Sequence, residues 1–121
     1  MNFLAVGLGG CIGAILRYLM EFVPLFNGDF PVKTLLVNVL GSFVLSLLYA
    51  VAREKQIPAE LLLFLGTGVC GGFTTFSTFA VQSAGLFASN LSAALLYICL
   101  SAGLSISAVC FAGWLVHWEV I

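Results

Sequence analysis

The chain alternates long apolar runs with short polar interruptions. Four runs reach the length of about 20 residues that a helix needs to cross a bilayer core. They cover roughly Phe3 to Val23, Val32 to Ala52, Ala59 to Ala84 and Leu91 to His117. Pro24, the polar turn Asn27-Gly28-Asp29 and Pro31 separate the first two. Arg53-Glu54-Lys55-Gln56 closes the second, and Pro58 favours the start of the third. Asn90 is placed to cap the fourth. Within each run the apolar character is continuous. That excludes the alternating strands of a membrane barrel. Connections this short make neighbouring helices antiparallel. The expected architecture is a single all-α transmembrane domain over residues 1–121.

Composition sharpens this. Of 121 residues, 62% are hydrophobic and 7% charged, and mean hydropathy is +1.19. Soluble domains carry about 25% charged residues, so this chain lacks the charge to clothe a water-facing surface. A net charge of -1 excludes nucleic acid as a partner, because binding it takes a basic face. No Lys or Arg precedes the first run, so a cleaved signal peptide is not expected. Cys11, Cys70, Cys99 and Cys110 sit in apolar stretches without CxxC spacing and read as small buried hydrophobes. His117, beside Trp118, reads as an interface residue.

The basic residues barely set an orientation. With four helices both termini share one side, whose loop holds Arg53 and Lys55; Arg17 and Lys33 belong to the other. The positive-inside rule then gives almost no preference. Either one topology is weakly favoured, or the chain inserts both ways and pairs with an inverted copy of itself.

Polar groups in hydrocarbon are costly unless satisfied, so they face neighbours or a pathway. Thr34, Asn38, Ser42 and Ser46 recur at i, i+4, i+8 and i+12 on the second helix, and Tyr97, Ser101 and Ser105 at i, i+4 and i+8 on the fourth. Such stripes serve either as interhelical glue or as a row of donors replacing an anion's hydration shell. The first helix carries Gly9, Gly13 and Arg17 on one face. Its glycines read as close packing. Arg17 can pair with Glu21, anchor at the interface or draw anions to a vestibule. The Gly7–Gly13 run has the wrong spacing for a dinucleotide loop and no preceding strand.

The third run holds Gly66, Gly68, Gly71 and Gly72, then Thr74, Thr75, Ser77 and Thr78, a poor helix interior. A break is expected near Gly71 to Ser77. Carbonyls freed there are natural ligands for a small hard cation. Phe73, Phe76 and Phe79 recur every third residue. They read either as core or as rings whose positive edges hold an anion.

Three segments in order resemble the Fluc (CrcB) fluoride channel family along essentially the whole chain. They are Gly9 to Tyr18, Thr34 to Phe43 and, most specifically, Gly71-Gly72-Phe73-Thr74-Thr75-Phe76-Ser77-Thr78-Phe79. The resemblance implies four transmembrane helices with a broken third, in an antiparallel dual-topology homodimer with two fluoride pathways. Phe76 and Phe79 match the phenylalanines whose ring edges line those pathways, and Asn38 the pore asparagine. Tyr97, Ser101 and Ser105 match the polar track of the fourth helix, and Thr34 a further polar position. Thr75 and Ser77 of the break are assigned to the pathway with them. Arg17 matches an arginine at the vestibule. The backbone carbonyls of Gly71 and Thr74 match ligands of a central structural sodium ion. Gln82 stands where some members carry an acid. The implied role is passive fluoride export across a bacterial inner membrane, without enzymatic chemistry. Two other readings weigh less. A proton-coupled exporter of cationic compounds needs a carboxylate in mid-helix, and none is present. A subunit that only packs against partners has no use for a broken helix.

Overall fold

The computed structural model describes residues 1–26 and 28–120, with side chains through residue 116. Asn27 of the first turn and the side chains of His117 and Trp118 thus lie outside the described residues. All regular structure among the described residues is helical. Four spans are long and apolar enough to cross a membrane: Asn2–Phe22, Val32–Lys55, Ala59–Ser89 and Leu91–Val116. The shortest has 21 residues and rises about 32 Å, enough for a hydrocarbon core of about 30 Å.

Helix α1 (Asn2–Leu19) tightens into a 3-10 turn at Met20–Phe22, ahead of Pro24. Helix α2 (Val32–Lys55) starts after Pro31 and stops at Gln56, whose φ of 46° is left-handed. It runs one turn beyond the apolar stretch and takes in Arg53, Glu54 and Lys55. Hydropathy marks where the bilayer ends, whereas the helix continues into the interface. There its basic residues favour the negative end of the helix dipole. After Pro58 come α3 (Ala59–Leu62), a π-helical run (Leu63–Cys70) and the single turn α4 (Gly71–Phe73). Helix α5 (Phe76–Ser89) completes the third span, and α6 (Leu91–Val120) forms the fourth. Asn90 caps α6, its Oδ1 accepting the Ala93 N–H at 3.2 Å.

Helix α1 packs on the π-helical run and α4, α2 on α6, and α5 on α6. The α1 contact is backbone against backbone. A Cβ on Gly9 would collide with the Phe64 carbonyl, one on Gly68 would lie 2.7 Å from Gly9 Cα, and one on Gly72 2.6 Å from the Gly10 oxygen. Small residues let membrane helices approach this closely. The core proper is small. Leu86, Ala94 and Tyr97 form it, with Phe30, Leu35, Phe79 and Ala93 packed against them. Large apolar side chains such as Phe3, Ile15, Leu96 and Ile106 project outward, as expected where the solvent is lipid.

Candidate functional site

The site is built around Thr74 and Thr75, which leave helical geometry between α4 and α5 (ψ 156° at Thr74; φ −150°, ψ 119° at Thr75). Two glycines before them and two β-branched residues at the turn weaken the helix locally. Other groups then take over the backbone bonds. The Thr75 N–H donates to Asn38 Oδ1 at 2.8 Å, and Asn38 Nδ2 donates to the Thr75 carbonyl at 3.0 Å. The Thr78 N–H donates to Thr75 Oγ1 at 3.2 Å, capping α5. Arg17 Nε donates to the Gly72 carbonyl at 3.2 Å. In a continuous helix the Thr75 N–H would serve the Gly71 carbonyl and the Thr78 N–H that of Thr74. Both donors point elsewhere, which leaves the Gly71 and Thr74 oxygens without helical partners. Two hard backbone oxygens of this kind suit a small cation such as sodium.

Arg17 therefore braces the turn from α1, and among the described residues it forms no ion pair with Glu21. Asn38 is likewise occupied. Its oxygen and one N–H hold Thr75, so it presents only one further N–H. The Thr74 hydroxyl donates back to the Cys70 carbonyl at 2.9 Å.

Beside the turn lies a central cavity of about 330 Å³. It gathers Asn38 and Ser42 from α2, Thr75, Phe76 and Phe79 from the third span, and Ser101 and Ser105 from α6. No Asp, Glu, Lys or Arg lines it. The Phe76 and Phe79 rings lie 5.5 Å apart, and Phe79 lies 5.2 Å from Tyr97. Phe76 is 78% exposed. Phe73 has left the row, because the turn at Thr74 and Thr75 swings it towards Gly41 of α2. Ser101 is 7% exposed, and its hydroxyl oxygen, fully buried, has no hydrogen-bond partner. An unsatisfied buried hydroxyl costs about 1–3 kcal/mol.

Thr34 and Tyr97 stand apart from that cavity. Tyr97 is fully buried; its ring meets Phe79 on one side and Phe30 on the other, 5.6 Å away. Its hydroxyl donates to Gln82 Oε1 at 3.0 Å. Gln82 and Thr34 line an outer cavity of about 430 Å³ with Asp29 and Lys33. A small cavity of about 40 Å³ brings Thr34 together with Arg17, Lys33, Thr75 and Thr78. Ser77 lines none of these cavities, and its hydroxyl lies 3.3 Å from that of Thr75. Sequence reasoning did not single out Thr78. Its place one turn after Thr75, in capping spacing, was the available signal.

Fold and site together define a small polytopic membrane protein with an uncharged, hydroxyl-lined cavity beside an interrupted third span. Residues 4–114 match the family described as CrcB-like protein, Camphor Resistance (CrcB). The chain belongs to that family. Among its relatives, the "Fluoride-specific ion channel FluC" of Shewanella denitrificans is 49% identical over 84 residues, 68% of either chain. The protein of the same name from Shewanella piezotolerans is 46% identical over the same share.

Proposed function

We propose that this chain is the subunit of a fluoride-selective channel for passive export of fluoride, working as an antiparallel homodimer with two pathways. The observation that carries the reading is the central cavity. It offers hydroxyl and amide groups, those of Asn38, Ser42 and Ser105 among them, and no fixed charge. Fluoride is small, strongly hydrated and a strong hydrogen-bond acceptor. Many neutral donors replace its hydration shell, whereas a fixed cation in mid-route would trap it. Phe76 and Phe79 border the same cavity, and ring edges add positive potential without formal charge. The relatives' names support fluoride as the ion.

The roles follow from place. Thr34 and Arg17 belong to the entrance, with Arg17 also bracing the turn. Asn38 holds Thr75 in extended form and keeps one N–H for the anion. Tyr97, Ser101 and Ser105 carry the polar track, with Thr75 and Ser77 at the broken third helix. Near-balanced basic residues and the 78% exposure of Phe76 support an inverted partner. The Gly71 and Thr74 carbonyls of both copies would hold a structural sodium ion. Such an ion would supply a positive charge between the two interrupted helices and would link them through these carbonyls. The working setting is a bacterial inner membrane, and no enzymatic step is involved.

The test is fluoride efflux from liposomes holding the purified protein. Rapid efflux, with chloride retained, is expected. Intact dimers that release no fluoride would refute the reading.

A further inference from the structure

The cavities described above share their walls. The outer and small cavities have Glu21, Lys33 and Thr34 in common, and the small and central cavities share Thr75. The central cavity shares Ser42 and Leu45 with a fourth space of about 380 Å³, a groove between α2 and α6. This groove runs past Ser46, Tyr49 and Gly113 and ends at Arg53 and Glu54. From Thr34 to Arg53 is about 29 Å along α2 at 1.5 Å per residue, close to the thickness of a bilayer core. The string of cavities therefore follows one face of α2 from one end to the other.

The polar groups of the groove divide into two kinds. Ser46 Oγ donates to the Val109 carbonyl at 2.9 Å and ties α2 to α6. The Ser42 and Tyr49 hydroxyls and the Arg53 guanidinium bond to no described residue. Positions 42, 49 and 53 fall at i, i+7 and i+11, on one side of the helix. The stripe thus continues past Ser46, two turns further than its serines and threonines reveal.

We propose that this groove is the far mouth of the anion route, with Tyr49 and Arg53 as the groups that exchange water for protein donors there. The proposal rests on the fluoride-channel reading above. A strongly hydrated anion gives up or regains its shell stepwise. A phenol followed by a guanidinium at the water's edge provides those steps. Glu54 on the same rim offsets the Arg53 charge, which keeps binding escapable. Gly113 faces open space, since a Cβ there would meet nothing within 4 Å. A larger side chain at that position would enter the groove without a backbone collision.

The experiment is fluoride efflux from liposomes, wild type beside Gly113→Leu, Arg53→Gln and Tyr49→Phe, with dimers counted by cross-linking. Gly113→Leu should lower flux by about an order of magnitude by narrowing the mouth. Arg53→Gln should lower flux several-fold at low ionic strength and approach wild type at high salt, because charge steering is screened. A merely structural arginine would show no such salt dependence. Tyr49→Phe should lower flux several-fold at either salt. Should Gly113→Leu lose the dimer, the other two variants, which add no volume, decide the matter. A wild type that carries no fluoride would overturn the channel reading itself. An active wild type with unchanged flux in Arg53→Gln and Tyr49→Phe would overturn this mouth alone.

Discussion

Ser101 and Asn38 are both polar residues in an apolar bundle, yet their bonding states differ and so do the expected effects of replacing them. The Ser101 hydroxyl is buried without a protein partner, so Ser101→Ala removes an unsatisfied group rather than a bond. Folding should be unchanged or stabilised by up to about 1 kcal/mol, while fluoride flux falls several-fold. Thermal unfolding of the detergent-solubilised protein and liposome efflux give the two readouts. A destabilised variant with normal flux would make the hydroxyl a packing group. Asn38 instead bonds the N–H and the carbonyl of Thr75. Asn38→Leu keeps the volume and strips both partners, at about 1–3 kcal/mol for each group left unsatisfied. That variant should lose folded protein before it loses conduction. The rings form a third case. Phe76 is largely exposed in one chain, so Phe76→Ile costs little packing there. Phe76→Ile and Phe79→Ile should both reduce flux with the dimer intact, because isoleucine has bulk but no positive edge. Unchanged flux would leave the rings as packing alone.

Among the elements, the glycine-faced contact of α1 separates close approach from mere smallness. A Cβ on Gly9 collides with the Phe64 carbonyl, whereas one on Gly7 meets nothing within 4 Å. Gly9→Ala should therefore push α1 off the third span and destabilise the fold by about 1–3 kcal/mol, whereas Gly7→Ala should be neutral or slightly stabilising, because alanine is the better helix former. Equal unfolding temperatures for the two variants would contradict the backbone contact. The four spans were legible in the sequence because hydrocarbon sets their length and composition directly. The turn at Thr74 and Thr75 lay inside the Gly71 to Ser77 window, since glycine and β-branched residues weaken a helix wherever they cluster. The π-helical run at Leu63–Cys70 was not legible. Its residues are as apolar as any helix of the bundle, and a wider turn leaves no mark in hydropathy. The occupied amide of Asn38 was equally hidden: periodicity placed it on the stripe but does not say what it meets. For the same reason Arg17 had several readings from sequence. Only the tertiary contact brings its Nε to the Gly72 carbonyl.

For the whole molecule, the proposed dimer raises two matters. The Gly71 and Thr74 oxygens of one chain would give the proposed sodium ion two ligands, fewer than a small cation takes. If an inverted copy completes the set, replacing sodium by a large organic cation should lower the unfolding temperature of the dimer, since a ligand of the folded form stabilises it by mass action. No shift would argue against a sodium ion at this position. Orientation is the second matter, and it is set by very little. Arg53 and Lys55 lie on one side against Arg17 and Lys33 on the other, so a pair of added lysines should decide it. Gln56→Lys with Glu60→Lys loads the first side, and Leu25→Lys with Asp29→Lys loads the second. Each double variant expressed alone should insert in one orientation only, read from the exposure of a C-terminal tag, and its cells should become sensitive to fluoride. Expressed together, the two supply opposite orientations, and resistance should return to near the wild-type level. The rescue is the decisive arm. A damaged fold would not be repaired by a second damaged fold, whereas two sound chains of opposite orientation would restore the antiparallel pair. A singly biased variant that by itself conducts like wild type would show that inversion is not required.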